Sequence, residues 1–181
     1  MQQFTRNDPT SVTRVWGGIV FARLWLPIYM KDTDRCIYLD SDTIVRKPLR
    51  ELWTWDIGKK AYGMAMGSVP EYGYNSGVML MNLRKVDNAE NWKNLSEYML
   101  ANARTFMLPD QTVINRYYSS EIAELPRRFN YPPRMDVLYT KECEEASIWH
   151  FYNGGTKPTL FAEADWCKVE WNSYFEKPKP V

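Results

Sequence analysis

Asp40 and Asp42, separated only by Ser41, are the residues of this chain whose types and spacing most directly suggest chemistry. They sit between two short apolar runs, Cys36-Ile37-Tyr38-Leu39 and Thr43-Ile44-Val45. Those runs are rich in β-branched and aromatic residues and too short for a helix, so they read as a buried strand that breaks at its end. Two carboxylates one residue apart on an irregular turn can both reach one hard divalent cation, and such a cation keeps open positions for phosphate oxygens. The competing reading is a solvated Asp-x-Asp turn. Placement at the carboxyl end of a strand favours the ligand reading, because open α/β sheets bind ligands there.

Other residues could serve the same chemistry. His150, the only histidine, lies near an apolar strand and is either structural or a ligand. Arg23 interrupts an apolar stretch; it either snorkels to the surface or clamps an anion. Asn75 and Ser76 offer an amide and a hydroxyl, or are simple turn residues. Asp110 precedes Gln111 where a helix should begin, so it can act as a cap. In Asn153-Gly154-Gly155-Thr156-Lys157-Pro158 the backbone amides and Lys157 could hold phosphate oxygens.

The elements that must position these residues follow from apolar spacing and breakers. A helix is expected over Val12–Leu26, weakened by Gly17-Gly18 and ended or kinked by Pro27. A short helix is expected over Leu49–Trp55, a strand over Ala61–Met66 and a loop over Gly67–Gly73. The continuous run Val78–Leu83 reads as a central strand, entered through Tyr74-Asn75-Ser76-Gly77. Trp92, Leu95, Met99 and Leu100 mark a packing helix within Asn88–Arg104, and Val113, Ile114 and Tyr117 the buried face of a helix over Asp110–Tyr118. Strands are expected at Ile122–Leu125 and Ala146–Phe151, with a proline-rich loop at Phe129–Pro133 between them. A Trp-rich helix over Ala162–Phe175 and a frayed tail close the chain.

Composition narrows the class. The chain has 181 residues, enough for one domain with a real core, and the reading takes 1–181 as that single domain. Hydrophobic residues make up 45% and aromatics 15%, which excludes a disordered chain. A net charge of +1 gives no footprint for nucleic acid. Cys36, Cys143 and Cys167 are far apart and odd in number, which suits a reducing compartment better than a disulfide framework. With no signal-peptide pattern and no long apolar run, a cytoplasmic location without a transmembrane segment is expected.

In order along the chain, Arg23 in its helix, Tyr38-Leu39-Asp40-Ser41-Asp42, Tyr74-Asn75-Ser76-Gly77-Val78, Asp110-Gln111, Phe129-Asn130-Tyr131 and His150…Gly154…Lys157-Pro158 resemble glycosyltransferase family 8. The resemblance runs from about Val12 to Pro158. It implies an α/β, GT-A-like mixed sheet flanked by helices, with a Rossmann-like nucleoside-binding half. It also implies transfer of a hexose from a nucleotide sugar, UDP-glucose or UDP-galactose, to a carbohydrate or other hydroxyl acceptor, with retention at the anomeric carbon and with Mn²⁺ or Mg²⁺. By the same resemblance Asp40, Asp42 and His150 match the metal ligands, and Ser41 stands where alanine is commoner. Lys157, beside Gly154, matches a diphosphate contact, and Arg23 a residue near the donor sugar and diphosphate. Asn75, with Ser76 next to it, looks like a sugar or acceptor contact. Asp110 matches a donor-sugar contact, and Gln111 the residue beside the reacting face.

Gln111 has no nucleophilic carboxylate, so a front-face attack by the acceptor hydroxyl fits better than a covalent intermediate on Gln111, with Asp110 the fallback nucleophile. Two departures from the family pattern bear on this. Family members begin with nucleoside-binding elements tens of residues before the arginine helix, where this chain has Met1–Ser11; a shortened nucleoside-binding half is therefore expected. The usual His-x-x-Gly-x-x-Lys-Pro-Trp is here His150-x-x-x-Gly154-x-x-Lys157-Pro158-Thr159, one residue longer and without the tryptophan. The rival function is a sugar-nucleotide-binding or interaction domain without turnover. A nucleotidyltransferase fits less well, for want of a glycine-rich, basic N-terminal loop.

Overall fold

The structure is a computed structural model and describes residues 18–86, 89–102, 108–133 and 140–152. Residues 18–25 (Gly18–Trp25) form a 3₁₀ helix that runs into α1 (Leu26–Tyr29). Then follow β1 (Arg35–Leu39), β2 (Thr43–Val45), α2 (Arg50–Trp53), β3 (Tyr62–Met66), β4 (Tyr74–Asn82), α3 (Leu83–Val86) and α4 (Ala89–Asn102). The order is completed by α5 (Pro109–Tyr117), β5 (Ile122–Glu124), α6 (Lys141–Glu145) and β6 (Ile148–His150).

The strands make two sheets. The larger has order β1-β4-β3-β5, and the smaller pairs β2 with β6. β4 runs antiparallel to both neighbours while β3 and β5 are parallel, so the larger sheet is mixed. β4 is central because its run Val78-Met79-Leu80-Met81 is fully buried, covered on both faces. Side chains alternate between faces along a strand. Met79 and Met81 accordingly join Tyr62 and Met64 under Phe21, Leu24, Leu95, Val113 and Ile114. Val78 and Leu80 face the other way, against Leu52, Ile57, Leu125, Phe129 and Ile148. A third cluster, Ile44, Cys143, Ala146, Trp149 and Phe151, lies at the small sheet.

Several expectations are corrected. The helix expected over Val12–Leu26 is 3₁₀ where it is described, and Pro27 stands inside the first turn of α1 rather than ending a helix. Pro27 has no N–H for the Arg23 carbonyl, so the α-helical ladder cannot run through it, whereas the first turn of a new helix needs no such donor. β1 is mostly half-buried, not fully buried. β4 starts at Tyr74, so Asn75 and Ser76 are strand residues and not turn residues. The strand reaches that far because Asn115 of α5 accepts from the Tyr74 N–H at 2.8 Å and donates to the Tyr74 carbonyl at 2.7 Å. Leu100 is 54% exposed, off the face that buries Leu95 and Met99. Just past α5, Tyr118 is buried, whereas Tyr117 on the helix is only partly so. Asp110 makes no capping bond at the start of α5. Helix α6 was not anticipated; its start is marked by Thr140, whose hydroxyl accepts from the Cys143 N–H. The expected helix at Ala162–Phe175 and the Gly154–Lys157 loop lie outside the described residues.

Asn115→Ala removes both bonds to Tyr74 from a part-buried position. It is expected to cost about 1–3 kcal/mol, read as a lower midpoint in thermal unfolding.

Candidate active site

The break between β1 and β2 builds the site. The Asp40 N–H donates to the Gly77 carbonyl at 2.7 Å, extending the β1–β4 ladder by one bond. The chain then turns out of the large sheet, held by the Thr43 hydroxyl on the Asp40 carbonyl at 2.8 Å. It enters β2, where Thr43 lies opposite His150 and the Phe151 N–H donates to the Asp42 carbonyl. The Asp-x-Asp turn is therefore a hinge between two sheets. That topology carries Asp40, Asp42 and His150, 108 residues from Asp42, to one point.

His150 Nε2 lies 3.1 Å from Asp42 Oδ1 and 3.7 Å from Asp40 Oδ2. One ligand atom from each of the three residues lies within 4.8 Å of the other two. The imidazole is 1% exposed, while the carboxylates are about a quarter exposed. Two carboxylates and one imidazole form a donor set that could hold a divalent cation. Opposite them Gly77 is obligatory, since a Cβ there would lie 1.9 Å from His150 Cε1 and 2.7 Å from Asp40 Oδ2.

Arg23 does not reach the surface; it is 8% exposed. Its guanidinium spans two carboxylates, with Nη2 2.8 Å from Asp40 Oδ1 and Nη1 3.1 Å from Asp110 Oδ2. Nη1 also donates to the Ser76 carbonyl at 2.8 Å, and the group lies over the Tyr38 ring. Its buried Nε has no hydrogen-bond partner among the described residues. The Ser76 hydroxyl donates to Asp110 Oδ2 at 2.7 Å, which accounts for the missing helix cap. Gln111 Oε1 accepts from Asn75 Nδ2 at 3.2 Å, and Gln111 Nε2 donates to the Tyr72 carbonyl at 3.1 Å.

Arg23, Asp40, Asp42, Asn75, Ser76, Asp110, Gln111 and His150 thus form one connected constellation. Ser41 is exposed at the hinge. Gly154 and Lys157 lie outside the described residues.

Sequence reasoning gave no site role to four residues. Gly77 keeps the centre open. The Tyr38 hydroxyl donates to Asp40 Oδ1 at 2.8 Å, and burial raises its phenol well above the ordinary value, so it stays a donor. Asn130 touches His150 Nδ1. Tyr152 packs its ring on His150, and its hydroxyl meets the Ser68 hydroxyl at 2.7 Å, tying the 67–73 loop to the end of β6. Gly77 and Asn130 lie inside the motifs already singled out; Tyr38 and Tyr152 flank two of the carboxylate and imidazole positions.

The sequence profile of Glycosyl transferase family 8 matches residues 2–160. The chain belongs to glycosyl transferase family 8. It is 29% identical to glycosyltransferase GlyF of Streptococcus pneumoniae over 149 residues, covering 79% of this chain and 35% of the relative. It is 27% identical to mouse glucoside xylosyltransferase 2, covering 88% of this chain and 45% of the relative. This family 8 chain therefore spans about half the length, or less, of the curated relatives it matches. A solved galactosyltransferase, LgtC in complex with donor and acceptor sugar analogues, superposes with a TM-score of 0.71 at 24% identity, covering 89% of this chain and 67% of LgtC. The fold is that of the GT-A glycosyltransferases, as expected. Among the described residues no helix is long and apolar enough to cross a membrane.

Proposed function

We propose that this chain is the catalytic part of a divalent-metal-dependent hexosyltransferase that takes UDP-glucose or UDP-galactose as donor and a carbohydrate or other hydroxyl as acceptor. The observation that carries this reading is the meeting of Asp40, Asp42 and His150 at the hinge, next to a buried Arg23 that bridges Asp40 and Asp110.

Asp40, Asp42 and His150 would hold Mn²⁺ or Mg²⁺, which supplies stabilisation for the charge that grows on a departing nucleoside diphosphate. Arg23 neutralises Asp40 and Asp110 together and so holds both carboxylates in place beside the donor. Lys157 is assigned to the diphosphate by the family pattern. Asn75 and Gln111 set the sugar side of the site, their amides locked to each other and to Tyr72. Asp110 Oδ2 takes both the Ser76 hydroxyl and the Arg23 guanidinium. These charge-assisted bonds hold Oδ2 in place and draw on its charge, which lowers its readiness to attack. That favours retention by front-face attack, the acceptor hydroxyl entering on the leaving-group side and passing its proton to the departing phosphate oxygen.

The test is release or transfer of labelled hexose from UDP-glucose and UDP-galactose with Mn²⁺. Turnover that disappears in Asp42→Asn supports the reading. Donor binding with no hexose released from either sugar would instead mark a binding domain. Gln111→Ala is expected to lower kcat by about 10²-fold, the scale of a misplaced reacting group, with donor affinity little changed. Full turnover in that variant would remove any essential role for Gln111.

A further inference from the structure

Which ring nitrogen of His150 carries a proton is decided by backbone groups of β4 and of the loop before it. The Gly77 N–H can only donate, so the Asn75 atom 3.0 Å from it is Oδ1. The other Asn75 atom is then Nδ2, which donates to Gln111 Oε1 at 3.2 Å. The Tyr72 carbonyl can only accept, and it independently requires Nε2 at the other end of Gln111, at 3.1 Å. The two ends agree. Asn130 lies 2.9 Å from Asn75 Oδ1, so the Asn130 atom there is Nδ2, and the atom it turns to His150 is Oδ1. That oxygen, 2.9 Å from Nδ1, needs a proton on Nδ1. Nε2 is thereby left to face Asp42 Oδ1 at 3.1 Å. Asn130 and His150 are 2% and 1% exposed, so no water competes for these bonds.

We propose that Asn130 is a positioning residue that fixes His150 with a proton on Nδ1 and with Nε2 directed between Asp40 and Asp42, and that it ties this choice to the Gln111 amide through Asn75. A ligating imidazole needs a partner on its other nitrogen to hold its tautomer and orientation. Here the partner is an amide whose own sense is fixed, so the metal side and the sugar side of the site are two ends of one hydrogen-bond chain. A flip of any of the three amides would place two like groups face to face. What Nε2 binds rests on the metal reading above; the proton on Nδ1 does not.

Because the chain has a single histidine, long-range ¹H–¹⁵N correlation on histidine-labelled protein reads both ring nitrogens without ambiguity. The expected result is a protonated Nδ1 in the metal-free protein and with diamagnetic Zn²⁺, only the Nε2 signal moving on metal addition. An unprotonated Nδ1 in either state overturns the proposal. Asn130→Leu should lose the fixed Nδ1 proton signal and weaken metal binding by about 10–100-fold. Asn130→Asp keeps an acceptor for Nδ1 but sets a carboxylate oxygen against Asn75 Oδ1, so it should retain the Nδ1 proton signal while weakening the link to Gln111. A leucine variant that is folded and keeps the wild-type ring signals overturns the proposal, whereas a collapsed one leaves the aspartate rescue and the wild-type spectrum to decide. A protonated Nδ1 with Nε2 indifferent to metal would defeat the metal reading and leave the hydrogen-bond chain standing.

Discussion

Gly77→Ala is expected to abolish metal-dependent transfer while leaving a folded protein. The methyl group would lie 1.9 Å from His150 Cε1 and 2.7 Å from Asp40 Oδ2, so the ring and the carboxylate must both retreat. Neither has slack. His150 is packed by Tyr152 and held through Nδ1 by Asn130, and Asp40 is held by Arg23 and Tyr38. A displacement of about 1 Å of a catalytic group costs about 10²-fold in rate, and disturbed ligand support another 10–100-fold in metal affinity. The backbone itself is not strained by the change, because Gly77 has no positive φ. Circular dichroism should therefore stay close to wild type while Mn²⁺ titration and hexose release fall together. A variant that binds Mn²⁺ and turns over like wild type would show that His150 and Asp40 do not form the working centre.

Arg23→Met carries the second large effect, on stability as well as activity. The guanidinium is the shared counter-charge of Asp40 and Asp110 in a setting that is 8% exposed. Removing one partner of a buried ion pair leaves uncompensated charge and costs about 3–5 kcal/mol. For a chain of this size that is a fall in unfolding midpoint on the order of 10 °C. Arg23→Lys should recover part of the stability but not the activity. A single ammonium cannot span both carboxylates and the Ser76 carbonyl as the planar fork does. Added Mn²⁺ should narrow the stability loss of the methionine variant, since a cation between Asp40 and Asp42 offsets part of the exposed charge. An unfolding midpoint unchanged in Arg23→Met would contradict the ion-pair account.

The sequence made the local pieces legible where local physics sets them. β4 was readable because Val78–Met81 is apolar without interruption, and the Asp40–Asp42 break because acidic residues cannot continue a buried strand. Helices with a clear apolar period, α4 and α5, appeared within a few residues of their expected limits. Long-range partners were not legible. Nothing in the residues near Tyr74 shows that Asn115 will extend β4 backward across the loop. Nothing near Asp110 shows that its carboxylate will turn from the helix end to Arg23, 87 positions earlier in the chain. The choice left open for Arg23, surface or clamp, is decided by the sheet that brings Asp40 and Asp110 to it. Asn130 was visible only as a letter in a motif. Its role depends on which amide atom faces which, and that is fixed by Gly77 and Tyr72, far from it in sequence.

The most direct test of the central claim is calorimetric titration of UDP-glucose and UDP-galactose, each with and without Mn²⁺, against wild type and Asp42→Asn. The account predicts donor binding by the wild type that requires Mn²⁺ and is lost in Asp42→Asn. Donor binding that ignores both Mn²⁺ and the substitution, or no binding of either sugar nucleotide with Mn²⁺ present, would contradict it.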